Sequence, residues 1–267
     1  MTNRTKLNIA LIGNGTIAAA VSRHCNHSAG RISVCAALGL PEDEVSTGPH
    51  PIVQDLHTLL ALKPDLVVEC AAQDAVKAHG VSILRAGIDL MVISVGVFAI
   101  PGVASQLEDA ATKGGTRVIV PAGALAGLDA LSAAASEQLD EVTLTTRKPP
   151  HAWACAPGVA EVDLESITEA TTIFSGTARE AAQNFPKNAN VAAALALAGI
   201  GMDKTMVTLI ADPFANRNSH CVMASGAFGR LSTMIEAEPA PENPKTSYLA
   251  ALSITRMLER LIAPIVI

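Results

Sequence analysis

Glycine spacing near the start of the chain is the strongest chemical signal in the sequence. An apolar run at residues 7–12 leads into Gly-Asn-Gly-Thr-Ile-Ala at residues 13–18. Gly13 permits a sharp exit from a strand, Gly15 lets a pyrophosphate approach the backbone, and Ala18 is small enough for the next helix to pack on the sheet. A plain tight turn between a strand and a helix fits the same glycines. We predict a dinucleotide site whose contacts are Gly13, Gly15, Thr16 and Ile17.

A second group of polar residues opens a helical stretch at residues 190–200 and a strand-like run at 220–225. Asn188 or Asn190 fits the N-cap of that helix. Lys187 is electrostatically unfavourable at a helix start, which indicates an anion nearby. His220 fits a surface or hydrogen-bonded histidine equally well, but imidazole titrates near neutral pH and is a candidate for catalysis.

Two adjacent cations end another strand-like run at residues 141–147. Arg147 and Lys148 precede Pro149-Pro150, and such a pair suits a carboxylate ligand. A solvated strand end explains the same two residues. We predict that Lys187, Arg147 and Lys148 are the cations available for an acidic substrate.

Alternating elements in the first half must position the glycine-rich turn. Strand-like runs at residues 7–12, 32–38, 66–70, 88–94 and 116–120 are separated by helical patterns at 53–62, 75–86 and 103–113. This alternation is typical of a parallel sheet with helices on both faces. We therefore predict an α/β protein with an N-terminal Rossmann doubly wound sheet.

The pattern changes after residue 123. A helical stretch at 128–138 is followed by strand-like runs at 141–147, 171–175, 205–211, 220–225 and 230–236. These features predict a second, α+β domain on a mixed or antiparallel sheet. We place the dinucleotide-binding domain at 1–123 and the substrate domain at 124–244, with a C-terminal helix within 245–267 returning to the first.

Composition excludes several classes of protein. The chain has 267 residues, a net charge of −6 and 3% aromatic residues, which argues against nucleic-acid binding. The longest apolar stretch, at residues 191–202, is too short for the roughly 20 residues of a membrane span, so we expect a cytoplasmic protein. No metal-ligand spacing connects the cysteines, which we expect to be reduced thiols: Cys25, Cys35, Cys70, Cys155 and Cys221.

The second strand lacks the usual discriminator between NAD and NADP. In NAD-selective sites an acidic residue about 20 residues beyond the glycines binds the ribose 2′-hydroxyl. Residues 34–38 read Val-Cys-Ala-Ala-Leu, and the nearest acids, Glu42 and Asp43, follow Pro41. Because no carboxylate repels a 2′-phosphate, we predict that both NAD and NADP are used.

Taken in order along the chain, these motifs resemble the L-aspartate dehydrogenase family. The resemblance rests on Gly13-Asn14-Gly15, the segment at residues 121–129, and the Arg-Lys-Pro-Pro stretch at 147–150. It continues at residues 185–191, at Asn218-Ser219-His220 and at 243–247. It implies that Ala124 and Asn190 contact the cofactor, that His220 is the active-site residue, that the protein is a homodimer, and that iminoaspartate is supplied for NAD biosynthesis.

The implied reaction suits these residue types. Oxidation of L-aspartate requires a neutral amine, whose lone pair forms the C=N bond as hydride leaves Cα, and the iminoaspartate hydrolyses to oxaloacetate and ammonia. His220 is a candidate base, but it fits a substrate anchor or a group that assists water addition equally well. The alternatives are a dihydrodipicolinate-reductase-like or homoserine-dehydrogenase-like enzyme, and a nucleotide-binding protein without catalytic activity.

Overall fold

The chain forms two compact units. The computed structural model describes residues 5–39, 50–154, 156–240 and 243–266, with the backbone alone for Lys187 and for residues 240 and 243–246. The first unit comprises Met1–Val97, Pro101–Pro121 and Ala251–Ile267. The second comprises Phe98–Ile100 and Ala122–Ala250.

The helices and strands follow one another along the whole described chain. The strands are β1 (Leu7–Ile12), β2 (Ile32–Leu38), β3 (Ile52–Val53), β4 (Leu66–Glu69), β5 (Asp89–Val92), β6 (Val118–Ile119), β7 (Leu139–Lys148), β8 (Thr171–Thr177), β9 (Met206–Ala211), β10 (Asn218–Gly226), β11 (Gly229–Ala237), β12 (Pro239–Ala240) and β13 (Asn243–Ser247). The helices are α1 (Thr16–His27), α2 (Leu56–Ala61), α3 (Gln73–Arg85), α4 (Val103–Gly114), α5 (Leu128–Ala134), α6 (Ala178–Asn184), α7 (Ala189–Ala198) and α8 (Tyr248–Arg260).

The first sheet has the strand order that places a nucleotide site beside β1. Its six strands lie in the order β3-β2-β1-β4-β5-β6, and every pair in it is parallel. The order reverses between β1 and β4, so the carboxyl ends of these strands border a crevice. The predicted Rossmann sheet is confirmed.

Helices cover both faces of this sheet. Leu90 of β5 lies against Gly80 of α3, whereas its neighbour Met91 belongs to a core cluster that also contains Ala18 of α1 and Leu258 of α8. Successive residues of a strand point to opposite faces, so both faces are buried. This burial explains why the strands read as continuous apolar runs.

The second sheet is mixed and has one open face. Its order is β11-β10-β7-β9-β8, with β7 and β9 parallel and the other neighbours antiparallel. On β7, Val142, Leu144 and Thr146 are buried, whereas the alternate residues are more exposed. The buried residues define an inner face, and the alternate residues define an outer face.

Several elements differ from the sequence pattern, and the short strands β3, β12 and β13 were not predicted. The helix α6 was not predicted, although Thr177 and Glu180 form a complete capping box at its start. The predicted helix at 128–138 ends at Ala134 in the structure. None of the described helices is long and apolar enough to cross a membrane.

Candidate active site

Gly13 holds a turn that only glycine fits. Its φ is +93°, and a Cβ built on it lies 2.9 Å from Cβ of Ala71. A side chain here meets both backbone strain and a clash. Its N–H donates to the carbonyl oxygen of Leu38 at 2.8 Å, which ties the turn to the end of β2.

Gly15 has a different reason to be glycine. It is the N-cap of α1 with an extended backbone and makes no side-chain cap bond. A Cβ added to it meets nothing within 4 Å, so the packing of the chain itself does not require glycine. The open space and the unpaired N–H groups of the first turn fit the close approach of a pyrophosphate. The residues at this edge therefore fit a dinucleotide, with exposed Thr16 and half-buried Ile17 beginning α1.

Glu69 is a buried carboxylate at the same edge of the first sheet. It ends β4 and has no exposed surface. Oε1 accepts hydrogen bonds from Ala71 N (2.8 Å) and Ser94 Oγ (2.9 Å), and Oε2 accepts from Ile93 N (3.1 Å) and Ser94 N (2.8 Å). Burial raises its pKa, and these hydrogen bonds oppose that shift. Four donors around two oxygens favour the ionised form, which anchors the loops after β4 and β5.

His220 lies on the inner face of the second sheet. It is directly opposite Thr146 in the β10–β7 pair, and its Nδ1 lies 3.0 Å from the Thr146 hydroxyl. Only 4% of His220 is exposed. Burial, and secondarily the charge of Lys148, lowers the pKa of His220 to about 3. The imidazole is therefore neutral at physiological pH.

This burial links the stability of the fold to pH. The unfolded histidine binds a proton near pH 6.5, whereas the folded one remains neutral down to a pKa of about 3. Since the unfolded chain binds more protons in that interval, the free energy of unfolding contributed by this group falls as the pH falls from 6.5 to 3.

Lys148 lies on the same inner face, two residues along β7 from Thr146. Its Nζ donates a hydrogen bond to Oδ1 of Asn188 and lies 5.1 Å from the centroid of the Trp153 ring. Burial lowers the pKa of Lys148 to about 8. The Trp153 ring is fixed in turn, because its Nε1 donates to the Ile210 carbonyl at 3.2 Å.

Arg147 lies on the outer face, because it alternates with Lys148 along the strand. Its Nη1 lies 2.7 Å from Oδ2 of Asp212, and Oδ1 of that carboxylate accepts from Phe214 N at 2.9 Å. The structure therefore separates the two cations that the sequence presents as a pair.

The residues that the resemblance implies for the cofactor lie in two segments of the second unit. Ala124 is buried in the loop before α5. That loop is tied to the inner face, since Thr233 Oγ1 donates to the Ala126 carbonyl at 3.2 Å and Thr233 is paired with Val222. Asn190 is exposed in the first turn of α7, and Lys187 lies in the short turn before that helix.

The N-cap interpretation holds for the position of Asn188 but not for its side chain. Asn188 is the N-cap of α7 and makes no side-chain cap bond, since its Oδ1 accepts from Lys148. Asn190 lies inside the helix, so the N-cap interpretation of that residue is wrong. Sequence reasoning also missed Thr146 and Trp153, whose roles depend on strand register.

The cysteines carry no bridge or metal site in the described part of the chain. Cys25, Cys35, Cys70 and Cys221 are free thiols, and Cys155 lies outside the described residues. Burial raises the pKa of Cys25 to about 11, which keeps it protonated. Across the described ranges, no group of three or more histidine, cysteine, aspartate or glutamate side chains is arranged to hold a metal ion.

Comparisons with known proteins cover both units. The model described as "Aspartate dehydrogenase, C-terminal" matches residues 129–261, and that described as "Homoserine dehydrogenase, NAD binding domain" matches residues 13–121. The chain is 44% identical to the L-aspartate dehydrogenase of Ruegeria pomeroyi over 96% of this chain and 92% of that relative. It is 51% identical to that of Cupriavidus necator over 73% of this chain and 74% of the relative.

A solved structure agrees with this relationship. The aspartate dehydrogenase of Thermotoga maritima matches with a TM-score of 0.79 and 26% identity, over 98% of this chain and 99% of that one. The predicted resemblance is thereby confirmed along nearly the whole sequence. The chain belongs to the L-aspartate dehydrogenase family.

Proposed function

We propose that this protein oxidises L-aspartate to iminoaspartate, which hydrolyses to oxaloacetate and ammonia. The observation that carries the proposal is the inner-face cluster of Thr146, His220 and Lys148, in a chain that matches L-aspartate dehydrogenases over nearly its full length. A neutral imidazole and a half-buried amine suit a substrate that carries an ammonium group and two carboxylates.

The predicted cofactor contacts have two sources, the glycine-rich turn and the family resemblance. Gly13, Gly15, Thr16 and Ile17 are the predicted contacts at the start of α1, and Ala124 and Asn190 are those implied by the family. A nicotinamide cofactor, when bound, would supply the acceptor for the hydride that leaves Cα of the substrate. Lys187, Arg147 and Lys148 are the predicted cations for the carboxylates. Of these, Lys148 shares the inner face with His220, whereas Arg147 lies on the outer face and is paired with Asp212.

Use of both NAD and NADP is supported by the composition of β2. Ala36 and Ala37 are completely buried near its end. Their methyl side chains carry no charge that could face a ribose. Glu42 and Asp43 lie outside the described residues. Since β2 itself carries no acidic residue, it offers nothing that repels a 2′-phosphate.

The first prediction is the activity itself. Purified protein with L-aspartate and either NAD⁺ or NADP⁺ is expected to produce reduced nicotinamide at alkaline pH, measured by absorbance. Alkaline pH favours the reaction because a larger fraction of the substrate amine is then neutral. D-Aspartate and L-homoserine are the control substrates, and little turnover is expected with them. No reduced cofactor at saturating L-aspartate contradicts the proposal. Exclusion of NADP by several orders of magnitude contradicts dual use.

We also propose that a second copy of the chain covers the outer face of the second sheet. Met206, Met223 and Met234 are 42%, 53% and 64% exposed there. Met223 and Met206 flank Thr143 in one row across the sheet, and Met234 lies opposite Cys221 in the next strand. A group of exposed methionines on one face of a sheet is typical of an interface between chains.

The second prediction concerns this dimer. In analytical ultracentrifugation the wild-type protein is expected to sediment as a species of twice the 27.5 kDa of one chain. Met223→Lys is expected to shift it toward the monomer, because each interface then buries two unpaired ammonium groups related by symmetry. A monomeric wild-type protein, or a Met223→Lys variant that remains fully dimeric, contradicts this assignment.

A further inference from the structure

The inner face of the second sheet carries two basic groups with different reactivity. His220 lies opposite Thr146, and Lys148 follows Thr146 by two residues on the same face. His220 is almost completely buried, whereas Lys148 is half-buried and retains some exposed surface. Of the two, Lys148 is therefore the group that a bound substrate reaches more readily.

The surroundings of Lys148 favour its neutral form. Its partners are the amide oxygen of Asn188 and the face of the Trp153 ring, and within the described ranges no ion pair joins its amine to a carboxylate. Burial lowers the pKa of this amine to about 8. A substantial fraction of Lys148 is therefore an uncharged amine at mildly alkaline pH.

The other titratable groups around Lys148 do not change this conclusion. On β10, His220 is neutral because burial holds its pKa at about 3. After β9, Asp212 is paired with Arg147, which lies on the outer face. In the turn that holds Trp153, His151 is exposed. Lys187 precedes Asn188, and only its backbone is described.

The two groups differ in their ability to accept a proton from an amine. An aliphatic ammonium group has an unperturbed pKa of about 10.4. The pKa of Lys148, about 8, lies much closer to that range than the pKa of His220, about 3. Proton transfer from a substrate ammonium to His220 is therefore far more unfavourable than transfer to Lys148.

We propose that the neutral amine of Lys148 accepts a proton from the α-ammonium group of the substrate, while His220 acts as a neutral hydrogen-bonding group. One N–H bond of the substrate breaks and one forms on Nζ of Lys148. The freed lone pair then forms the C=N bond as the Cα–H bond breaks and its two electrons leave as hydride, so the substrate is oxidised and the nicotinamide reduced. Lys148 releases its proton to solvent.

The position of Asn188 supports this assignment. Asn188 binds Lys148 and stands two residues before Asn190, the predicted cofactor contact in α7. Since the reacting carbon must lie next to the nicotinamide ring, a proton acceptor tied to this segment agrees with the cofactor contact that the proposed function assigns to Asn190. The inference deepens the proposed function and rests on it.

The test uses two variants and a matched control. Lys148→Arg keeps the positive charge but removes the basic amine, and Lys148→Ala leaves space for an added primary amine. Each variant is expected to lower kcat about 10²- to 10⁴-fold at pH 8. Added ethylamine is expected to restore part of the activity of Lys148→Ala but none of that of Lys148→Arg. Lys204→Met, which replaces an exposed lysine in the turn before β9, is expected to retain wild-type kcat.

Two further measurements separate this role from a structural one. The wild-type kcat/KM is expected to fall below about pH 8, and this inflection is expected to disappear in Lys148→Arg. Thermal unfolding at pH 7 is expected to show that both Lys148 variants fold cooperatively, so that a loss of activity is not a loss of the fold. A Lys148→Arg variant with near wild-type kcat and an unchanged pH profile overturns the inference while the proposed function stands. A wild-type protein without aspartate activity overturns both.

Discussion

Replacing His220 by alanine is expected to lower kcat for aspartate oxidation about 10²- to 10³-fold. The imidazole is held by the Thr146 hydroxyl at 3.0 Å and, in the role proposed for it, gives the substrate a fixed, neutral hydrogen-bonding partner. In that role its loss is expected to misplace the reacting carbon rather than to remove a base. The remaining activity is therefore expected to keep the pH profile of the wild type, as measured by steady-state kinetics between pH 6 and 10.

The matched controls are a histidine elsewhere and a residue predicted to touch the cofactor. His57→Ala changes an exposed histidine of α2 and is expected to leave kcat unchanged. Asn190→Ala is expected to raise the KM for the cofactor with little effect on kcat. If His220→Ala retains wild-type kcat, or regains it at saturating cofactor, His220 is only a buried structural histidine.

Glu69→Gln is expected to destabilise the first unit and to weaken cofactor binding together. In the more favourable orientation of the new glutamine side chain, its NH₂ group points toward Ala71 N and Ser94 Oγ. The Ser94 hydroxyl can then turn to accept a hydrogen bond, but the Ala71 N–H loses its acceptor. We expect a loss of about 3 kcal/mol in the free energy of unfolding, equivalent to a Tm lowered by roughly 6–12 °C. Because Ala71 lies against Gly13, the Kd for NADH is expected to rise about tenfold.

Thermal unfolding with and without NADH, and titration calorimetry, measure these two effects without an activity assay. Glu108→Gln, in the exposed face of α4, is the matched control and is expected to change neither. If Glu69→Gln unfolds and binds NADH like the wild type, the carboxylate does not organise this edge of the sheet.

Periodicity in the sequence was sufficient to predict most elements of the first unit, but not the two-residue strand β3, which overlaps the start of a predicted helix. The run at residues 32–38 coincides with β2, and the glycine spacing located the turn that Gly13 forms. Both features are local. The β2 run depends on the burial of neighbouring residues in one strand, and the turn depends on the backbone conformation of Gly13. The same reasoning predicted His220 and Lys148 as separate candidates.

The arrangement of the second sheet was beyond the reach of local patterns. Thr146 meets His220 because β7 and β10 pair in one particular register, and a shift of one residue would place Arg147 there instead. The use of Asn188 by Lys148 depends equally on tertiary packing. The lowered pKa values of His220 and Lys148 follow from burial, which local patterns do not show. From the sequence we therefore favoured an imidazole base that titrates near neutral pH, whereas the structure has a neutral imidazole and a half-buried amine.

The return of α8 to the first unit bears on how the chain folds during synthesis. Ile254, Leu258 and Ile262 complete a core that also contains Leu7 and Ile9, yet the ribosome adds them only after residues 122–250 have been made. Domains generally fold as units, the N-terminal one first. Here the second unit is the first whose residues have all been synthesised, at residue 250. Until α8 is added, part of the apolar surface of the first sheet stays uncovered. A fragment that ends at residue 121 is accordingly expected to be prone to aggregation.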